Sequence, residues 1–180
     1  MSGARTAGDG PLIYVTAGEP SGDQLGAYLM QALKEATGGT VRFAGVGGAR
    51  MEAEGLDSLF PMGELSLMGL EIVPRLPGLL RRIRETVADI RRRRPDALVT
   101  IDAQGFSKRV GSKLKGAPFP IIQYVAPTVW AWKPWRARAV ARYLDHLLTI
   151  FPFEARFFDK HGLANTFVGH LAAEHAGRPA

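Results

Sequence analysis

The sequence contains no cysteine, so disulfides, a thiolate nucleophile and thiolate metal sites are excluded, and a reducing compartment such as the cytosol fits best. No stretch approaches the ~20 consecutive apolar residues that span a bilayer, which leaves only peripheral contact with a membrane. The opening MSGARTAGDGP has neither the apolar run of a secretion signal nor a strong basic lead, and residues 1–11 read as a flexible start. Histidine is scarce: four residues lie scattered along the chain without HExxH spacing, so no metal site is expected. There is no internal repeat, and no low-complexity tract beyond Arg91 to Arg94.

Acidic residues are the minority charge. Lys and Arg number 23 against 17 Asp and Glu, giving a net charge of +6, and the pI is near 10.0. That balance favours anionic partners: a nucleic acid, an anionic lipid surface or a phosphorylated small molecule. With 180 residues and 46% hydrophobic content, the chain is long enough for one domain with a sizeable core.

Short apolar runs that end in Gly, Pro or acidic residues alternate with longer helix-like segments, the pattern of repeated βα units around a parallel sheet. Strands are expected at Leu12 to Ala17, Val41 to Ala44, Ala97 to Ile101, Ile121 to Val125, His146 to Ile150 and Thr166 to Val168. Helices are expected at Asp23 to Ala36, Ala49 to Ala53, Leu76 to Arg93, Lys108 to Lys115, Trp135 to Tyr143 and Glu154 to His161. The clearest is Leu76 to Arg93, where Leu76, Leu79, Leu80, Ile83, Val87 and Ile90 form one apolar stripe and Pro95 stops the helix. Ligands of an open parallel sheet bind beyond the carboxyl ends of the strands, so the loops there take the functional reading first.

The turn Gly18-Glu19-Pro20-Ser21-Gly22-Asp23 follows the first strand and opens a helix, whose free N–H groups and positive dipole end suit an anion. Glu19 is placed to accept a sugar hydroxyl; the alternative is a tight turn with Ser21 as helix N-cap. GxGxxG spacing is missing here, and Gly45 and Gly47 stand where a ribose-binding acid would follow the second strand, which argues against a nicotinamide enzyme. Asp102 follows the apolar strand Ala97 to Ile101, where a carboxylate can take a proton from an attacking hydroxyl or simply cap the next turn.

All three tryptophans fall between Trp130 and Trp135 beside prolines and bases. They read as a self-packed loop, an apolar wall beside a ligand, or an interfacial anchor. Stacking of single-stranded nucleic acid is set aside because no nucleic-acid motif accompanies them. Met68 to Leu80 is apolar and leads into Arg81, Arg82 and Arg84, the combination presented to an anionic membrane surface, with an ordinary core helix as the alternative. Arg91 to Arg94 read as a solvated helix end. His170 is the one histidine at an expected strand end.

Together AGEPSGD at 17–23, GVGGARMEAEG at 45–55, LSLMGLEIV at 65–73, ID at 101–102, YVAPTVWAWK at 124–133, PFE at 152–154 and FVGH at 167–170 resemble lipid-A-disaccharide synthase, in order and in spacing. The resemblance implies an α/β fold with a Rossmann-like parallel sheet and helices on both faces, over residues 12–170, forming one half of a GT-B glycosyltransferase. It implies an enzyme that joins UDP-2,3-diacylglucosamine to 2,3-diacylglucosamine 1-phosphate with inversion, needing no metal or other cofactor and working at the inner face of the bacterial inner membrane. Asp102 corresponds to the family's proposed general base. Gly18, Glu19, Ser21, Gly22, Met68 and His170 fall in substrate-binding positions, and Leu70, Ile72, Val73, Leu76, Leu79, Leu80 and Arg81 on the membrane-facing acyl surface.

Two departures stand out. The family follows ID with Ser or Ala and then Pro-Asp-Phe-Asn, whereas this chain has Ala103-Gln104-Gly105-Phe106-Ser107, without the second carboxylate and the amide. After FVGH the family has Pro, and here Leu171 follows. Residues 171–180 are expected to be a truncated tail with the C-terminal, UDP-binding half absent, so that the chain is expected to be inactive alone and active only if a separate donor-binding half is supplied. The competing expectations are a non-catalytic module for an anionic lipid or phosphorylated sugar, and a GT-B transferase for another lipid-linked sugar.

Overall fold

A computed structural model describes residues 10–67, 76–101, 105–127 and 135–169. Seven strands form a single parallel sheet: β1 Leu12–Ala17, β2 Arg42–Val46, β3 Asp57–Ser58, β4 Ala97–Ile101, β5 Ile121–Tyr124, β6 His146–Thr149 and β7 Asn165–Phe167, in the order β3-β2-β1-β4-β5-β6-β7. The helices are α1 Pro20–Ala36, α2 Ala49–Ala53, α3 Gly63–Leu67, α4 Leu76–Arg93, α5 Phe106–Lys113, α6 Trp135–Val140 and α7 Ala155–Asp159. The strand order reverses between β1 and β4, which makes that junction the switch point of an α/β Rossmann-like fold.

A parallel sheet covered on both faces needs apolar strands throughout, and all five residues of β4 are buried. Side-chain alternation along β1 sends Tyr14 into one cluster with Ile83, Val87 and Ile90 of α4 and Val110 of α5. Val15 and Ala17 enter the opposite cluster with Ala27 and Met30 of α1 and Met51 of α2. Ile83, Val87 and Ile90, with Leu79 packed against their cluster, are therefore the core face of α4. Arg82, on the same helix, turns inward as well, donating to both carboxylate oxygens of Glu64 at 2.6 to 2.8 Å and to Glu85 at 2.7 Å, and lying 4.5 Å from the centre of the Phe60 ring. It serves the fold, whereas the sequence pattern groups it with surface arginines.

One polar link crosses the first layer. The Tyr14 hydroxyl donates to Asp89 Oδ2 at 3.0 Å, and Arg92 and Arg93 also donate to that carboxylate. Burial and the Asp89 charge push the Tyr14 phenol far above its ordinary range. Burial works to raise the Asp89 carboxyl too, yet the hydrogen bonds from Arg92, Tyr14 and Arg93 hold it below the usual carboxylate value.

Several boundaries differ from expectation for local reasons. Helix α1 starts at Pro20, so Glu19 is its N-cap and Ser21 lies in the first turn. Proline at the first helical position has the helical φ already set and lacks only an N–H that would be unpaired there. Strand β2 runs to Val46 rather than Ala44, since Gly45 and Val46 still pair with β1. A Cβ at Gly45 (φ 153°) would stand 1.8 Å from Val15 O, so only glycine fits. Strand β3 and helix α3 were not expected: two residues of pairing and five of helix are too short to leave a periodic signal.

Candidate functional site at the carboxyl edge of the sheet

The carboxyl ends of β1 and β4 lie side by side, with Ala17 paired to Ile101. Directly after Ala17, Gly18 is buried and Glu19 is exposed with extended backbone (φ −143°, ψ 156°). The Glu19 carboxylate makes no cap bond to the helix, and Glu19 O accepts from Asp23 N at 3.0 Å. Ser21 is exposed beside it, so the turn presents a carboxylate and a hydroxyl outward. Gly22 is buried: a Cβ there would approach Ala17 Cβ at 3.3 Å and Ile101 at 3.7 Å, so its bareness lets α1 sit close on the two strands.

Asp23 locks this turn to the next one. Its buried carboxylate accepts from Gly48 N at 2.8 Å, Met51 N at 3.1 Å and Arg50 N at 3.1 Å, capping α2 from a neighbouring helix. The N-cap of α2 is Gly48, which has no side chain to do so. Ser58 holds the other side of the same glycine turn, accepting from Gly47 N at 3.2 Å. Sequence reading placed Asp23 in the motif without giving it a role, because the groups it caps lie 25 to 28 residues away.

Further along the edge, Val125 follows β5 with φ 74°, a strained setting for a β-branched residue. Its N–H donates to Leu148 O at 3.0 Å, tying the start of the Ala126-Pro127 loop to β6. After β6, the buried Glu154 carboxylate accepts from Phe151 N at 3.1 Å and Ile150 N at 3.2 Å, closing the turn from inside. Burial raises the Glu154 carboxyl above its ordinary value, against the two backbone bonds that lower it. The protonated form is thus the one the fold favours, and the stability it brings is complete below about pH 4.3 and lost as pH climbs through the raised folded value. Glu154→Gln cannot ionise and escapes that loss. In thermal melts the Gln variant should gain on the wild type as pH rises from about 4 to 7; a difference independent of pH would remove Glu154 as the titrating group.

The exposed large hydrophobic residues also gather here: Phe151, Phe153, Phe167 and Val168 are 39 to 53% exposed, and the first two rings stack at 5.6 Å between centres. Below the edge, Thr16 Oγ1 and Ser107 Oγ are buried without a hydrogen-bond partner. Thr16 is the register partner of Thr100 in β4, and Ser107 lies in the first turn of α5. Buried hydroxyls are nearly always paired, and sequence reading singled out neither of these two as unpaired.

Of the residues singled out by sequence, Gly18, Glu19, Ser21 and Gly22 come together at this edge. Asp102, Met68, Leu70, Ile72, Val73, His170 and the tryptophan segment 130–134 lie outside the described residues, although Asp102 is the residue after Ile101. Leu76 opens α4; Leu79 and Leu80 are half-buried, with Leu79 packed on the core, and Arg81 is exposed. Among the described residues no three His, Cys, Asp or Glu side chains cluster to hold a metal, and no helix is long and apolar enough to cross a membrane.

Residues 13–177 match the family described as lipid-A-disaccharide synthetase. The chain belongs to the lipid-A-disaccharide synthase family. It is 58% identical over 168 residues to the lipid-A-disaccharide synthase of Paramagnetospirillum magneticum, an alignment covering 92% of this chain and 43% of the relative. The corresponding figures are 57% over 166 residues, 91% and 41% for Rhodospirillum centenum, and 48% over 166 residues, 92% and 44% for Pseudomonas aeruginosa. The chain therefore spans less than half the length of these lipid-A-disaccharide synthases and matches their N-terminal part.

Proposed function

We propose that these residues are the acceptor-binding half of a lipid-A-disaccharide synthase, a glycosyltransferase of lipid A biosynthesis joining UDP-2,3-diacylglucosamine to 2,3-diacylglucosamine 1-phosphate. The observation that carries the reading is the switch point, where the Gly18 to Asp23 turn opens α1 beside β4, whose last residue, Ile101, precedes Asp102 in sequence. The chemistry follows from placing a carboxylate there. Asp102 takes the proton of the acceptor hydroxyl, the freed oxygen bonds to the anomeric carbon of the donor, and the bond to UDP breaks on the opposite face, inverting the centre. Glu19 and Ser21 hold sugar hydroxyls, and His170 is assigned to the substrate by its place in the FVGH motif.

The donor site belongs to a second half, which the greater length of the relatives leaves room for. The apolar rim of Phe151, Phe153, Phe167 and Val168 suits contact with it. Acyl chains and an anionic membrane surface meet Met68, Leu70, Ile72, Val73, Leu76 and Leu80, with Arg81 exposed for the headgroups, whereas Leu79 packs on the core and is left out of that surface. On this reading the protein works peripherally on the cytoplasmic face of the inner membrane. One observation favours the non-catalytic alternative: the changed loop Ala103 to Ser107, which ends in a buried hydroxyl without a partner.

A transfer assay separates the two. The 180 residues alone should form no disaccharide from labelled UDP-diacylglucosamine, and adding the C-terminal half of a close relative as a separate chain should bring activity. Turnover by the chain alone above a no-protein control overturns the division of labour. Acceptor binding without turnover in the reconstituted pair would favour the binding module.

A further inference from the structure

The opposite edge of the sheet carries a second concave surface. Helix α4 ends at Arg93 just ahead of β4, and α5 ends at Lys113 ahead of β5, so both bring their C-terminal ends to the amino side of the strands. Between them lies an open groove of about 550 Å³ lined by Arg91, Arg94, Lys113 and Lys115, with Pro118 and the buried Phe119 as its apolar wall. A neighbouring hollow of about 350 Å³ shares Arg91 and Lys113 and adds Arg84. Among the described residues no acidic side chain lines either.

The charges here are not consumed by the fold. Arg92 and Arg93 are bound to Asp89, which is not among the lining residues, whereas Arg91 donates, among the described residues, to a neutral acceptor, Lys113 O, at 3.3 Å. That bond ties α4 to the end of α5 and holds a guanidinium at the groove wall. Two helix C-termini contribute about half a negative charge each, which offsets only part of the charge on Arg91, Arg94, Lys113 and Lys115. Arg94 adds a second sign. It has φ 47° and its N–H donates to Ile90 O at 2.9 Å, the position after a helix where glycine is usual and an L side chain is strained. The chain keeps an arginine there, with its side chain on the groove.

We propose that this groove binds a multiply charged phosphate group, a diphosphate or a phosphomonoester, carried by a soluble molecule or by a lipid headgroup. The volume is that of a small-ligand site. Guanidinium forks match phosphate oxygens in pairs, and the flanking ammonium groups serve as point charges. A multiply charged anion relieves the mutual repulsion of the cations that a singly charged one leaves. Single-stranded nucleic acid is disfavoured because Phe119, the one aromatic ring in the lining among the described residues, is buried and offers no stacking face. The site stands apart from the crevice and does not depend on the transferase reading.

The test titrates pyrophosphate into the full 180-residue chain at low ionic strength, and in parallel floats the chain with phosphatidylcholine vesicles with and without phosphatidic acid. Arg94→Gly combined with Lys115→Ala should weaken binding by about tenfold or more, the loss of one good charge-assisted contact. Glycine fits φ 47°, so the melting temperature of Arg94→Gly alone should hold or rise, and lost binding cannot be ascribed to unfolding. A charge-matched pair away from the groove, Arg138→Ala with Lys160→Ala on exposed positions of α6 and the end of α7, should leave binding within about twofold of wild type. Pyrophosphate binding that follows this pattern supports a soluble phosphate source; retention on phosphatidic acid vesicles alone, with the same pattern, supports a headgroup source. Binding to neither probe, or equal loss in both double variants, overturns the proposal.

Discussion

Asp102→Asn should lower disaccharide formation by the reconstituted pair by about 10²-fold or more, the scale of losing a general base. The expectation rests on position. Ala17 and Ile101 end their strands in register at the switch point; the turn with Glu19 follows the first, and Asp102 is next in sequence after the second. Asparagine keeps the size and hydrogen-bonding capacity of the side chain but cannot accept a proton from the attacking hydroxyl. The loss should therefore fall on kcat, with KM for the acceptor changed only a few-fold. Glu19→Gln provides the contrast: a carboxylate that binds a hydroxyl should show its loss mainly in KM. Full activity in Asp102→Asn would take Asp102 out of the mechanism, and a loss confined to KM would make it a binding residue.

Asp23→Ala should lower the melting temperature by about 5 to 15 °C, corresponding to roughly 2 to 4 kcal/mol in a domain of this size. The wild-type carboxylate, 6% exposed, accepts three backbone N–H groups at the start of α2. Alanine leaves those donors buried beside a void. A five-residue helix has too few internal bonds to persist without its cap, so the effect should spread to the Gly45 to Gly48 turn and Met51 in the core. Asp23→Asn should fall between: Oδ1 takes Gly48 and Met51, but an amide nitrogen would face Arg50 N, donor against donor. Melts followed by circular dichroism, with amide exchange at Arg50 and Met51, read both the size and the place of the damage. A change of less than about 2 °C in Asp23→Ala would show that water replaces the cap at little cost.

Sequence alone determined the fold class, most strand and helix positions, and the family. The runs at β1, β4 and β5 and the three- and four-residue spacing in α4 are local periodicities, imposed because a covered parallel sheet and a one-sided helix each demand a fixed repeat of apolar residues. The Gly18 to Asp23 turn was legible for the same reason: a small-residue segment between strand and helix has few other meanings. The family came from the order and spacing of several such segments. Tertiary structure alone decided what the polar residues do. Asp23 caps a helix 25 residues on, Arg82 turns in to Glu64 and Phe60 instead of outward with Arg81, Glu154 closes its own turn from inside, and Arg94 faces Lys113 across a basic groove. A charged side chain takes the nearest complementary group in space, and which groups are near follows from the strand order β3-β2-β1-β4-β5-β6-β7, which no local repeat encodes.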